Sequence, residues 1–157
     1  MRLRLVVVAA VALTDCSGSS NCGPTDPKVC SANRSLTSLV AGEWTQAPLA
    51  NGTALQMRLS AHDTTLFGTG TYSTTGSPVG AVEISGFVFW RDSFFAPAGV
   101  EIPAEPVVVL DFAFDNGTTA HFDQATLTGQ DTLTGVLTFS QDKFHSYGVS
   151  FIRAMTR

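Results

Sequence analysis

From Trp44 onward, apolar and polar residues alternate in short runs, and glycine, asparagine, aspartate or proline separates one run from the next. Alternation with a period of two is typical of β-strands, in which successive side chains point to opposite faces. The runs predict eight strands, at residues 43–47, 53–60, 65–73, 79–90, 106–115, 118–128, 132–140 and 146–154. This part of the chain is therefore expected to be all-β.

Each predicted strand has one apolar face, as Leu55, Met57 and Leu59 show for the second strand. Eight antiparallel strands must hide these faces and their own edges from water. Closing them into an up-and-down barrel does both. A two-sheet β-sandwich is the alternative.

The turns between strands support an antiparallel order. Asn116-Gly117 supplies the positive φ angles that a tight hairpin needs. Thr126-Leu127-Thr128-Gly129 and Thr132-Leu133-Thr134-Gly135 flank a second short turn. A hairpin that places Leu127 opposite Leu133 explains these two similar segments.

Gly42, Trp44 and Arg153 lie in the first and last predicted strands. This G-x-W sequence with a late arginine resembles the calycin arrangement of lipocalins and their small bacterial lipocalin-like relatives. The resemblance implies a lipocalin-like barrel in which the Trp44 indole packs against the Arg153 guanidinium. Such a stack gains a cation–π contact and leaves the guanidinium donors able to bind carbonyls at the chain ends.

An up-and-down barrel places alternate loops at the same end. Trp44 begins the first strand and Arg153 ends the last, so both are expected at one end together with the loop of residues 91–105. The loops near residues 48–52, 74–78, 115–117 and 141–145 are expected to surround the other, open mouth.

The N-terminus has the pattern of an export signal. Arg2 and Arg4 precede an unbroken apolar run at residues 5–13, which is too short to span a bilayer. We therefore predict that residues 1–15 form a signal peptide and that the protein is exported.

Leu13-Thr14-Asp15-Cys16 resembles a bacterial lipobox. The resemblance implies that Cys16 is acylated and that the protein is an outer-membrane or periplasm-facing lipoprotein. Asp15 departs from the small residue that the lipobox has at this position. Cleavage after Ala10-Val11-Ala12, which would release a soluble secreted protein, is the alternative.

The chain has three cysteines, and acylation of Cys16 leaves Cys22 and Cys30 as one pair. An oxidising compartment favours a disulfide between them, which would close a short loop. Residues 16–37 are rich in serine, asparagine and threonine, and they predict a flexible tether. The barrel domain is expected to comprise residues 38–157.

Charge excludes one class of partner. The chain has a formal net charge of −4, with only 9 lysines and arginines, so it has no basic surface for nucleic acid. The membrane is expected as a partner through the N-terminal lipid anchor.

The candidates for catalysis or metal binding are few. They are His62 with Asp63, His121 with Asp123, and His145, and isolated histidines of this kind are usually solvated. No G-x-S-x-G sequence is present to place a nucleophilic serine. We predict no metal, no cofactor and no enzymatic activity.

Five aromatic residues cluster around the fourth strand, namely Phe87, Phe89, Trp90, Phe94 and Phe95. The favoured interpretation is that they form core and plug one end of the barrel. The alternative is that Phe94 and Phe95 form a surface patch that docks a partner or dips into the bilayer near the anchor.

An eight-stranded barrel either holds one small ligand or is filled by its own side chains. The favoured hypothesis is a barrel that binds a small hydrophobic ligand, with a pocket lined by Met57, Tyr72, Phe112, Phe114 and Tyr147. The alternative is a structural or protein-interaction lipoprotein of the cell envelope, with a filled barrel and no ligand.

Overall fold

The computed structural model describes residues 27–50, 52–75, 79–97, 99–141 and 145–154. They form helix α1 (Pro27–Val40) and ten strands: β1 (Gly42–Gln46), β2 (Ala54–His62), β3 (Thr65–Ser73), β4 (Gly80–Arg91), β5 (Phe94–Phe95), β6 (Glu101–Ile102), β7 (Glu105–Phe114), β8 (Thr119–Thr128), β9 (Thr132–Phe139) and β10 (Ser146–Arg153). Eight of these strands match the eight predicted ones to within two residues at each end. The other two, β5 and β6, form a small separate hairpin.

The eight long strands form a closed antiparallel barrel. Each pairs with the next along the chain, β4 pairs with β7 across the hairpin, and β1 pairs with both β2 and β10. The predicted barrel is therefore confirmed, and the sandwich alternative is wrong. Leu127 pairs with Leu133, as the turn sequence predicted.

The alternation of apolar and polar residues places one side chain of every two inside the barrel. On β2, Leu55, Met57 and Leu59 are buried while Gln56 and Arg58 are exposed. The interior is filled mainly by large side chains; those with almost no exposed surface include Trp44, Phe112, Phe122, Phe151, Leu55, Leu66, Leu110, Leu133 and Leu137.

Helix α1 covers one end of the barrel and corrects the prediction for the N-terminal segment. Residues 27–37, predicted to belong to a flexible tether, are helical. Asn33, Leu36, Thr37 and Val40 lie on one helical face and are buried, and Leu36 and Val40 join the barrel core. Packing against the barrel stabilises a helix whose serine, asparagine and threonine residues favour it weakly on their own.

The strand order divides the connections between two ends. The closed end contains α1, the β2–β3 turn, the β5–β6 hairpin, the β8–β9 turn and the end of β10. The mouth contains the connections after β1, β3, β7 and β9. This division is the one predicted from the up-and-down order. In the part of the chain that the structure describes, no helix is long and apolar enough to cross a membrane.

Candidate functional site

The mouth of the barrel holds a cavity of about 210 Å³. Its apolar wall is formed by the rings of Tyr72, Phe114 and Phe139, the last inward-facing residues of β3, β7 and β9. Neutral polar residues complete the lining: Thr53, Thr74, Asn116, Thr118 and Gln141. An apolar wall below a rim of neutral hydrogen-bonding groups can take up an apolar group that carries a polar end.

A column of aromatic rings fills the barrel below this cavity. The Phe112 ring lies between Phe114 and Phe151, with 6.4 Å between centroids on each side and interplanar angles of 19° and 11°. Phe122 meets Phe151 edge to face at 5.3 Å. Pockets for drug-sized ligands measure about 300–1,000 Å³. The mouth cavity is smaller, so it has room for only one end of such a ligand.

The five residues predicted to line one pocket lie in three places: the mouth cavity, the closed core and the side of Phe139. Tyr72 and Phe114 line the mouth cavity, and their rings meet edge to face at 4.8 Å. Met57 and Phe112 lie in the closed core, at 4% and 1% exposure. Tyr147 is half-buried and packs edge to face on Phe139 at 6.1 Å. Phe139 was not among the predicted residues, although it contacts both Phe114 and Tyr147.

Asp115 is a second residue that the sequence did not single out. Its carboxylate accepts hydrogen bonds from the Tyr72 hydroxyl and from the Ala81 backbone N–H, each at 2.8 Å. The bond from Ala81 and then that from Tyr72 lower the pKa of Asp115, while the bond to Asp115 raises the pKa of Tyr72. A carboxylate therefore holds the Tyr72 ring in place at the edge of the mouth.

The predicted signature of Gly42, Trp44 and Arg153 comes together at the closed end. The guanidinium carbon of Arg153 lies 4.4 Å from the centroid of the Trp44 ring. Arg153 donates hydrogen bonds to the carbonyls of Gln130 and Ala41, at 2.8 and 2.9 Å, and to that of Leu39. Gly42 has a φ of 138°, and a Cβ there would clash with the guanidinium.

The buried Trp44 indole is also tied to the helix. Its N–H donates to the Val40 carbonyl at 2.8 Å. Trp44 and Arg153 together bind α1, β1, β10 and the β8–β9 turn to one another. These residues therefore close the barrel and leave the mouth as its accessible opening.

The predicted N-terminal sites lie mostly outside the described residues. Cys16 and Cys22 fall there, so the lipid attachment and the disulfide stay predictions. Cys30 lies on α1, half-buried, and has no disulfide partner among the described residues.

Four of the five aromatic residues around β4 do not plug the barrel, contrary to the favoured interpretation. The fifth, Trp90, is half-buried and has the inward parity of Val88. Phe87 and Phe89 are half-buried on the outer face of β4, paired in register with Val109 and Val107. Phe94 and Phe95 are 44% and 72% exposed on the hairpin. For those four residues the interpretation was wrong, because the first two rings have the outward parity of β4 and the other two lie on the exposed hairpin.

The outer wall has a wide concavity of about 620 Å³ across β4, β7, β8 and β9. His121 Nδ1 lies 2.7 Å from Asp111 Oδ1 there, and both side chains are about half exposed. The strand register places Asp111 between Ser85 and His121. A nucleophilic triad needs the imidazole next to the hydroxyl. The residue on the other side of His121 is Thr138, whose hydroxyl is hydrogen-bonded to that of Ser146 at 3.0 Å. No group of three metal-ligating side chains is found among the residues that the structure describes.

Searches against models of protein families and against curated proteins found no match to this chain.

Proposed function

We propose that this protein is an exported, lipocalin-like barrel, anchored to the cell envelope by a lipid on Cys16, that binds one end of a small hydrophobic ligand in its mouth. The mouth cavity is the observation that supports ligand binding. The Trp44–Arg153 stack supports the lipocalin-like relationship, and the N-terminal sequence supports export and acylation.

The lining of the cavity narrows the ligand class. Tyr72, Phe114 and Phe139 offer apolar contacts, so a linear alkyl or small aromatic end fits. Asp115 adds a negative charge beside the cavity, while the polar residues of the lining are neutral. A neutral or cationic polar end is therefore favoured over a carboxylate or phosphate.

A series of linear alcohols from butanol to decanol tests this proposal. Each methylene that enters the cavity should add about 0.8 kcal/mol to the binding free energy. The gain should stop once the chain is longer than the cavity, because the aromatic column blocks deeper entry. Isothermal titration calorimetry measures this dependence, and an affinity independent of chain length would contradict mouth binding.

Two neighbouring threonines give a matched pair of variants. Thr118 lines the cavity, whereas Thr119 is exposed. Thr118→Phe should fill the cavity and abolish alcohol binding. Thr119→Phe adds the same ring outside the cavity and should leave binding unchanged.

Native mass spectrometry of the protein purified from its own host's envelope tests the anchor. The proposal expects an N-terminus at Cys16 with added acyl mass and a co-purifying small molecule. A chain that begins at Leu13 with no added mass would establish simple secretion instead.

The filled interior favours a second candidate, a structural or protein-interaction lipoprotein without a ligand. Phe112, Phe122 and Phe151 occupy the space that a deep ligand would need. An acylated protein with no co-purifying ligand and no alcohol binding would favour this candidate over the first.

A further inference from the structure

The β5–β6 hairpin forms a sheet separate from the barrel sheet and carries three exposed apolar side chains. Phe94 pairs with Ile102 and Phe95 with Glu101, and the hairpin forms a sheet of its own. Phe94, Phe95 and Val100 are 44%, 72% and 57% exposed. Large exposed apolar groups concentrated on one short element mark an interaction surface.

The base of this hairpin is fixed to the barrel. Arg91, at the end of β4, forms an ion pair with Glu105, at the start of β7. The same guanidinium lies 5.6 Å from the centroid of the Phe94 ring. At the tip, the Ala96 N–H donates to the Val100 carbonyl at 2.9 Å. A hairpin with two residues in each strand has little stability alone. The contacts of Arg91 and the hydrogen bond at the tip therefore stabilise the hairpin in its position on the barrel.

The position of the hairpin favours a lipid bilayer as the surface that it meets. The hairpin and α1 lie at the same end of the barrel, and α1 contacts β4 and β7, the strands that flank the hairpin. Cys16 precedes Pro27 by eleven residues, which span at most roughly 40 Å when fully extended. If Cys16 is acylated, as the proposed function states, the chain therefore leads from the membrane into the closed end.

The charges near the apolar side chains indicate how the hairpin would meet the bilayer. Asp92 precedes β5, and Glu101 lies beside Phe95. These carboxylates give no attraction to anionic lipid and limit entry to the headgroup region, where amphipathic elements bury their apolar side chains.

We propose that Phe94, Phe95 and Val100 insert into the headgroup region of a phospholipid bilayer, so that the closed end faces the membrane and the mouth faces away. The acyl anchor keeps the protein at the membrane, and the hairpin sets its orientation. The ligand site is then presented to the aqueous compartment.

Two exposed apolar residues at opposite ends of the barrel allow a direct test. Phe95 lies on the hairpin, and Val79, 68% exposed, lies at the mouth. The full chain with Phe95→Trp or Val79→Trp is purified from its host and added to vesicles of brominated phosphatidylcholine, which quench tryptophan fluorescence on contact. The fluorescence of Trp44 and Trp90 is subtracted with the unsubstituted protein. We expect quenching of the tryptophan at 95 and none at 79.

The other outcomes overturn the proposal. Equal quenching at both positions would show that the barrel has no preferred orientation. No quenching at position 95 would show that the hairpin does not enter the bilayer, and cross-linking of that residue to an envelope protein would then assign the hairpin to a protein partner.

A second set of variants tests whether the phenylalanines cause the insertion. With Val100→Trp as the probe, Phe94→Ser with Phe95→Ser should reduce quenching to the level seen at position 79. Val79→Ser should leave it unchanged, and the melting temperature should stay the same in every variant. Unchanged quenching in the double variant would contradict the proposal.

Failure of the anchor can be told apart from failure of the hairpin. A chain without acyl mass that still shows quenching at position 95 would refute the anchor and support the hairpin. An acylated chain that binds vesicles without such quenching would support the anchor and refute insertion of the hairpin.

Discussion

The two ends of the barrel are built by different means. The closed end is covered by α1, and buried Trp44 and half-buried Arg153 join that helix to both chain-terminal strands. At the mouth, side chains are joined by exposed hydrogen bonds, among them those between Tyr72 and Asp115 and between Thr138 and Ser146. A barrel that is tightly joined at one end can leave the other end open without losing its shape.

This difference separates stability from binding. The buried side chains at the closed end share contacts, so their loss should lower the free energy of unfolding. The exposed polar side chains at the mouth border a small cavity, so their loss should change ligand binding or pH response with little effect on the fold.

The largest effect is expected from Trp44→Ala. The substitution removes a fully buried indole, its hydrogen bond to Val40 and its stack with Arg153. We expect a loss of about 3–5 kcal/mol in the free energy of unfolding. Urea denaturation followed by circular dichroism measures it.

Phe95→Ala is the control for that experiment, because it also removes a large aromatic ring at the closed end but an exposed one. It should change the free energy of unfolding by less than about 0.5 kcal/mol. Similar losses in both variants would contradict the assignment of stability to the Trp44 contacts.

A smaller loss is expected from Arg153→Lys. Lysine keeps the charge but has no planar group to lie over the indole while it donates to three carbonyls. We expect a loss of about 2 kcal/mol. Arg58→Lys, on an exposed side chain 3.8 Å from Glu43, is the matched control and should cost almost nothing.

Asn33→Leu should have the opposite sign. Asn33 is fully buried in α1, and its side-chain oxygen and nitrogen have no hydrogen-bond partner within the described ranges. A buried polar group without a partner costs about 1–3 kcal/mol, so leucine should stabilise the closed end by about 1 kcal/mol. Thermal denaturation tests this, and a lower melting temperature would show that the amide makes a stabilising contact.

The strands could be predicted from the sequence because their signal is local. Alternating side chains on β2 and β7 show which face is buried without any knowledge of the neighbouring strands. Helix α1 could not be predicted in that way, since its stability comes from packing on the barrel. Two signals for it were present, however: Asp26-Pro27 is typical of a helix start, and Asn33, Leu36, Thr37 and Val40 have helical spacing.

The residues of the mouth cavity could be predicted only in part, because the sequence shows which side chains point inward but not how deep each one lies. Parity along a strand shows that Phe112 and Phe114 both point inward, but it does not show how deep each lies. Depth depends on which side chains meet from opposite walls, and the stack of Phe112 on Phe151 closes the barrel at that level. The last inward residue of each strand at the mouth would have identified Tyr72, Phe114 and Phe139.

The smallest effect is expected at the Tyr72–Asp115 bond, and it depends on pH. The lowered pKa of Asp115 means that its stabilising contribution is complete above about pH 4 and is lost as the pH falls through the folded value. The raised pKa of Tyr72 means that its contribution is complete below about pH 10 and is lost as the pH rises through the folded value.

Two variants distinguish the loss of stability at low pH from the loss at high pH. The melting temperature of each variant is measured across the pH range. Tyr72→Phe removes the group that titrates at high pH, so its melting temperature should lack that part of the wild-type decline. It should keep most of the decline at low pH, because Ala81 still donates to Asp115. Asp115→Asn should lack the part of the low-pH decline that Asp115 contributes. An alkaline decline in Tyr72→Phe equal to that of the wild type would show that other groups control the stability of the mouth.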